Sequence, residues 1–342
     1  MASKPDPDQF TTPFLLTKTS HRDPYPAISP EKPENSQKGK IIIITGGGAG
    51  IGAAAAKVWA RAGASGIVIA ARRLETLEEV AKDIKASNPA SKVLPVKADI
   101  SLEEDVKNLF ASVQKTFARP ADVLLNNAGY LADDQLIGET PVADWWKAFV
   151  SILRNSRLLN LTKVQEINLR GLYLMSHYFI QSQPNPKEPT GTLIAVASGR
   201  AGLTIPGGSA YNISKLAEER LNEHIQMGEN NCLSSNRTQA SNSVTEYPTL
   251  RVFTTMPGIL KTDMAAVSDF WGHFAQDHVD LTGMLALYLA QPRADYLKGG
   301  MVGVNWDVEE MEKHKEEIES KKLVLTSWLP VLPFNGGHGL GA

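Results

Sequence analysis

The sequence predicts an α/β fold, a single domain built on a doubly wound parallel sheet with helices on both faces. Three observations predict it. Short β-branched runs alternate with helix-length segments through most of the chain. The first of those runs, Lys40 to Thr45, is β-branched and reads as a strand buried on both faces. It ends in glycines that lead into a helix.

The elements follow in order. Lys40 to Thr45 (KIIIIT) reads as the first strand, and Ala53 to Ala62, rich in helix formers, as the first helix. Gly66 to Ala70 is the second strand and Leu74 to Ala86 an amphipathic helix. Val93 to Lys97 and Val123 to Leu125 are strands separated by a helix over Glu103 to Phe117. Thr192 to Val196, Leu250 to Thr255 and Met301 to Val304 repeat the strand signal, and no internal repeat is visible. The domain spans 39–305.

Two segments break the rhythm. Val150 to Gln165 lengthens what would otherwise be one helix from Asp144 towards Phe179. Gly228 to Thr245 is polar and rich in Asn and Ser, the composition of a solvated loop, and its length is unusual inside a compact domain. Residues 1–38 carry seven prolines (Pro5, Pro7, Pro13, Pro24, Pro26, Pro30, Pro33) and no periodicity. They read as an extended or disordered N-terminal arm, either a flexible leader or a segment that wraps the domain. The C-terminal extension, 306–342, begins with a charged helix-like stretch, Asp307 to Lys322, followed by Leu323 to Phe334 with Trp328. It could cover the substrate mouth, pack on a neighbouring subunit or hang loosely.

Composition removes several functions. The 342 residues are 42% hydrophobic and 21% charged with a net charge of −2, so no basic surplus points to a nucleic-acid partner. No apolar stretch is long enough to span a membrane. A single cysteine, Cys232, excludes a disulfide framework and fits a reducing compartment. The N-terminus lacks the apolar core of a secretion signal, and the expected address is cytoplasmic. His273 and His278 have no ligand-like partners nearby in sequence, so no metal is expected.

Thr45-Gly46-Gly47-Gly48-Ala49-Gly50-Ile51-Gly52 joins the first strand to the first helix. Gly46 allows the tight turn, Gly50 lets the backbone approach a pyrophosphate, and Gly52 permits close helix–strand packing. The helix N-terminus behind them attracts phosphate. At the end of the second strand stands Ala70-Ala71-Arg72-Arg73, with no carboxylate before Glu75. A carboxylate there would hold a ribose 2′-OH, whereas Arg72 or Arg73 suits a 2′-phosphate, so NADP is favoured over NAD. The plainer alternative is two solvated arginines at a helix start.

Tyr211-Asn212-Ile213-Ser214-Lys215 opens a helix after Gly207-Gly208, placing phenol and ammonium on one face. A nearby cation favours phenolate, which makes Tyr211 a usable general acid for an alkoxide or base for an alcohol. A tyrosine packing on a lysine stem would give the same spacing. Ser198 lies at the end of the Thr192–Val196 strand, thirteen residues before Tyr211, where a ligand of such a sheet sits. Asn126-Asn127-Ala128-Gly129 follows another strand at the same edge, and Asn168 lies on the next helix.

With Asp99 in ADI, Asn168 in INLRG, and Pro257-Gly258 with Thr262, these motifs stand in the order of the short-chain dehydrogenase/reductase family, which the chain resembles over about residues 39–305. The resemblance implies a Rossmann fold and a carbonyl/alcohol oxidoreductase. It implies Tyr211 as proton donor or acceptor, Ser198 orienting the carbonyl, and Lys215 favouring the phenolate and binding the nicotinamide ribose. It further implies Asn168 holding a relay water, Asp99 at the adenine, Asn126 at the cofactor ribose, and Ile259 with Thr262 at the nicotinamide. A homodimer or homotetramer follows by the same analogy. Rival classes are a catalytically impaired NADP-binding regulator, which an intact Ser198, Tyr211 and Lys215 argues against, and an epimerase or dehydratase on the same scaffold. Met264, Phe270, Trp271, His273 and Phe274 suit a hydrophobic small-molecule substrate, or simply pack a lid onto the domain.

The family has neither rhythm-breaking segment. Deleting the first rejoins Phe149 to Glu166 in one helix, and deleting the second brings the Tyr211 helix to Tyr247 and the next strand. Val150-Ser151 can be encoded by a splice-donor sequence, Leu161-Thr162 by a branch point and Gln165 by an acceptor, with similar readings at Gly228-Glu229 and Ser241-Asn242. Both segments therefore read as translated introns; the alternative is two genuine surface insertions, which loops tolerate at small entropic cost.

Overall fold

The structure is a computed structural model, and it describes residues 5–131, 136–139, 166–226, 247–261 and 272–326. Both rhythm-breaking segments lie outside the described residues, as do Cys232, Thr262, Met264, Phe270, Trp271 and Trp328.

Seven parallel strands form one sheet in the order β3-β2-β1-β4-β5-β6-β7. They are β1 Ile41–Thr45, β2 Gly66–Ala71, β3 Lys92–Lys97, β4 Val123–Asn126, β5 Gly191–Val196, β6 Leu250–Met256 and β7 Met301–Gly303. Each expected strand is present within a residue or two of its sequence-read limits. Pro95 sits in β3, where the edge of the sheet spares it a ladder partner on one side. The helices are α1 Gly50–Arg61, α2 Leu74–Ser87, α3 Glu103–Phe117, α4 Leu172–Gln181, α5 Ser209–Gln226, α6 Asp280–Leu289, α7 Val308–Lys313 and α8 Lys315–Lys321.

Alternation along the strands divides the core in two. Ile42, Ile44, Ile67 and Ile69 pack with α1, α2 and α6, while Ile41, Ile43 and Val68 pack with α3 and α4. The four isoleucines of β1 are 0–2% exposed, and each contributes roughly 1.5–3 kcal/mol by leaving water. Strand order reverses between β1 and β4, so the carboxyl ends of those two strands open a crevice.

Of the two readings of the proline-rich segment, the structure describes the wrapping arm. Tyr25, Ala27, Ile28, Asn35 and Gln37 are buried. Ser20 bridges Trp306, the His21 N–H donates to the Asn305 carbonyl at 2.9 Å, and Trp306 Nε1 donates to the Phe14 carbonyl at 2.7 Å. Tyr25 Oη donates to the Trp306 carbonyl at 2.9 Å and accepts from the Val308 N–H at 3.2 Å, and burial pushes this phenol well above its ordinary range. Proline-fixed turns over Thr12–Phe14, Pro26–Ile28 and Pro33–Asn35 preset the path without an extended hydrogen-bonded element.

The charged C-terminal stretch forms α7 and α8 rather than one helix, and Val308, Met311 and Ile318 turn into the first core. Beyond them Met301 N donates to the Val324 carbonyl at 2.9 Å, so the tail lies along the free edge of β7. Thr326 Oγ1 donates to Glu219 and its N–H to Glu223 at 3.3 Å, which fastens the tail to α5. Burial, reinforced by Glu223, pushes the Glu219 carboxyl up to about 7 despite the Thr326 hydrogen bond. The folded protein thus holds this proton more tightly than the unfolded chain, and stability falls as pH rises from about 4.5 through 7. Glu219→Gln, which keeps the acceptor and removes the charge, is expected to melt several degrees above the parent at pH 8 and within about a degree of it at pH 5. Melting curves at the two pH values check this, and a variant less stable than the parent at pH 8 would contradict it.

Candidate active site

The first strand and the glycine turn set the site. Gly46 has φ +68°, and a Cβ placed on Gly52 would stand 2.3 Å from the Gly46 carbonyl oxygen, so the start of α1 lies directly on the turn. Thr45, buried at the end of β1, receives the Asn127 and Ala128 N–H groups on its Oγ1, both at 3.0 Å. Asn127 Nδ2 donates to the Thr45 carbonyl at 2.9 Å. The ends of β1 and β4 are therefore stitched together at the point where strand order reverses. No acidic side chain occupies the first turn of α1, which leaves its amide groups suited to an anion.

A cavity of about 710 Å³ opens over this point. Arg72, Arg73, Thr76 and Gly48 line one end, Asp99 and Asn127 to Gly129 the middle, and Val196, Tyr211, Lys215 and Pro257 the other end. Arg72 and Arg73 are exposed and, among the described residues, their side chains make no ion pair or hydrogen bond. Asp99 is the one carboxylate of the described lining, and its Oδ1 accepts from the Ser101 N–H at 3.0 Å and Oγ at 2.6 Å. A bare glycine cradle, an anion-receptive helix end and two uncommitted guanidinium groups fit a dinucleotide with an additional phosphate.

α5 builds the other end. Tyr211 and Lys215 share its inward face, with the Lys215 Nζ 5.8 Å from the phenol ring centre. Nζ donates to the Val196 carbonyl at 3.1 Å and to Glu218 at 3.0 Å. Burial alone would lower this ammonium; Glu218 and Tyr211 outweigh burial and hold it above the ordinary lysine value. The Arg200 guanidinium lies 5.2 Å from the same ring centre and donates from Nε to Asn212 Oδ1 at 2.9 Å. Ser198 ends the β5 approach and accepts the Arg200 N–H on its Oγ at 3.2 Å, capping the Gly199–Gly202 turn.

Asn168 sits in a turn of π-helical winding, Glu166–Gly171, that precedes α4, rather than in the uniform helix the sequence suggests. It is 1% exposed, and its side chain binds both the N–H and the carbonyl of Tyr130, at 2.8 and 3.1 Å. Its Nδ2 also donates to Ser214 Oγ at 2.9 Å, and Ser214 Oγ donates to the Tyr211 carbonyl at 2.7 Å. Asn168 thereby ties the loop after β4 to the first turn of α5.

Of the residues singled out from sequence, Gly46, Gly50, Ile51, Arg72, Asp99, Tyr211 and Lys215 line the cavity together. Gly52, Asn168 and Ser198 each adjoin a lining residue in sequence, Ile51, Ile167 and Ala197 respectively. Asn126 is buried, with Nδ2 3.4 Å from Ser176 Oγ, while its neighbour Asn127 reaches the cavity. Ile259 is anchored from outside: its N–H donates to Asp277 Oδ2 at 2.6 Å. Thr262 lies outside the described residues. His273 and Phe274, two of the five offered for substrate, pack on the arm through the Pro5 carbonyl at 2.9 Å and the Phe10 ring at 4.8 Å.

Sequence reading missed Asp277, whose side chain is fully buried and whose Oδ1 accepts from Arg22 at 2.9 Å and Asn305 at 2.7 Å. No local pattern marks it. It also passed over Glu218, which helical spacing could have flagged, since 211, 215 and 218 share one face. Among the described residues no helix is long and apolar enough to cross a membrane, and no group of three or more His, Cys, Asp or Glu could hold a metal ion.

A family model described as short chain dehydrogenase matches residues 40–231. The chain is 30% identical over 316 residues to the short chain dehydrogenase pigC of Monascus ruber, covering 89% of this chain and 91% of that protein. Among solved structures it is similar to a 3-ketoacyl-(acyl-carrier-protein) reductase from Brucella melitensis complexed with NADH, with TM-score 0.62, 24% identity, and coverage of 79% of this chain and 98% of that one. It is likewise similar to a 7α-hydroxysteroid dehydrogenase complexed with NADH and 7-oxo glycochenodeoxycholic acid, with TM-score 0.62, 20% identity, and coverage of 82% and 96%. These two likenesses concern the fold. The chain belongs to the short-chain dehydrogenase/reductase family and is an oxidoreductase.

Proposed function

We propose that the protein interconverts a ketone or aldehyde with an alcohol, using NADP(H) and Tyr211 as general acid and base. The observation that carries this reading is one cavity with Tyr211 and a buried Lys215 at one end and Arg72 and Arg73 at the other. When bound, the cofactor supplies or accepts the hydride. Everything else falls to the chain. The glycine turn and the α1 amides receive the pyrophosphate, and Asp99 stands where an adenine edge would lie. In reduction the Tyr211 hydroxyl gives its proton to the forming alkoxide, the Ser198 hydroxyl orients the carbonyl, and the Lys215 charge favours the phenolate left behind.

The absence of a carboxylate at the end of β2 supports NADP over NAD, because Arg72 and Arg73 meet a 2′-phosphate there. The family likeness alone supports a homodimer or homotetramer. The test is a titration with NADPH and with NADH, followed by energy transfer from protein to nicotinamide fluorescence. Arg72→Ala is expected to weaken NADPH binding roughly tenfold or more, the worth of one charge-assisted hydrogen bond, and to leave NADH binding unchanged. Equal loss for both nucleotides would remove the NADP assignment, and binding of neither would remove the function.

A further inference from the structure

α5 carries a carboxylate on the face it turns towards the sheet. Glu218 lies three residues after Lys215, and both of its oxygens stand 3.0 Å from Nζ. The side chains of the pair are only 4% and 3% exposed. Such a pair is a poor source of stability, because both charges give up water and an apolar side chain of similar volume would fill the space without that loss. A helix that still presents glutamate here has a use for the charge.

The use follows from what surrounds Lys215. Its ammonium donates to the Val196 carbonyl and faces the Tyr211 ring, and of its neighbours Glu218 favours the charge most, with Tyr211 second. The other elements packed on this end of α5 supply little. β6 presents the Thr254 hydroxyl, taken by Asn222, and the turn before α4 presents the neutral Asn168. The Gly199–Gly202 turn presents Arg200, a second cation over the same ring. Glu219 and Glu223 point to the tail and are engaged by Thr326. Among the described residues Glu218 is therefore the counter-ion of Lys215.

Resting on the carbonyl-reductase reading, we propose that Glu218 is a positioning residue of this site, holding Lys215 as an ammonium and aiming it between the Val196 carbonyl and the Tyr211 ring. Without the carboxylate, a fully buried amine reverts to its neutral form at lower pH, and its help to the phenolate and to the cofactor ribose is lost. Burial in turn raises the Glu218 carboxyl, opposed by the Lys215 charge, as expected of two groups that depend on each other for ionisation.

The test uses the full chain with ¹³Cε-labelled lysine, the Lys215 signal being assigned through Lys215→Arg. In Glu218→Gln, Lys215 is expected to lose its proton at least one pH unit below wild type, a tenfold drop in proton affinity. NADPH affinity, followed by fluorescence transfer, is expected to fall about tenfold between pH 7 and 9.5 in the variant and to stay flat in wild type. Glu218→Asp, which keeps the charge, should restore the wild-type titration and guards against a variant that merely folds badly. An unmoved Lys215 titration, or an NADPH affinity lowered equally at every pH, overturns the proposal. A shifted titration with no NADPH binding in either protein would leave the charge-holding role standing and overturn the cofactor reading instead.

Discussion

Tyr211→Phe is expected to lower carbonyl reduction by about three orders of magnitude, within the range general acid catalysis contributes, while NADPH affinity changes less than twofold. The split follows from what the hydroxyl does and does not touch. The ring is buried at 9% exposure between the Arg200 guanidinium and the Lys215 ammonium, and phenylalanine keeps that packing. Lys215 remains fixed by Val196 and Glu218, and the glycine turn, Arg72 and Arg73 at the far end of the cavity are untouched. What disappears is the proton. The comparison is made on whichever ketone from a screen best consumes NADPH, with parent and variant at the same pH. A loss smaller than tenfold would mean that another group supplies the proton.

Asp277→Ala is expected to destabilise the fold by about 3–5 kcal/mol, because three hydrogen bonds to one buried carboxylate are lost together. For a domain of this size that is a fall of roughly 10 °C in melting temperature. One carboxylate serves three donors: the Ile259 N–H at 2.6 Å, Arg22 at 2.9 Å and Asn305 at 2.7 Å. Removing it leaves the Ile259 N–H without its acceptor, while Arg22 keeps Asp8 and Asn305 keeps the His21 carbonyl. It also frees the Pro257–Ile259 turn, where Gly258 has φ +76° and a Cβ would stand 2.3 Å from the carboxylate oxygen. Because Pro257 lines the cavity, NADPH binding should weaken together with stability. Calorimetry and the nucleotide titration read the two effects. A variant that melts like the parent would show that water replaces the carboxylate at no cost.

How much of this was legible depended on range. β1 was plain because it is an uninterrupted apolar run ending in glycines and buried on both faces, and the other strands repeat a short apolar or β-branched signal between helix-length segments. The glycine turn and the Tyr211–Lys215 spacing were plain because both are local: one helix turn, one strand end. Asn168 was visible as a residue but its hydrogen bonds were not, since they run to Tyr130 and Ser214, 38 and 46 residues away. Arg22 and Asp277 were invisible for the same reason, being 255 residues apart. The N-terminal arm was ambiguous because proline removes the periodicity that reveals packing, while leaving the chain free to pack through its turns.

That arm also imposes an order of events. Tyr25 and Trp306, which it joins, are 281 residues apart in sequence. Phe14, Tyr25 and Ile28 leave the ribosome well before Trp306 and Val308, so the surface that receives them is completed only when the chain beyond Trp306 has emerged. In the meantime β1 to β6 have their ladder partners in one another. The arm meets α1 and α6 first, through Gln37 on the Ala62 and Leu287 carbonyls, and its seat is completed when the carboxyl-terminal helices close over it. A chain cut short before Trp306 would leave Phe14 and Tyr25 without the partner they both bond.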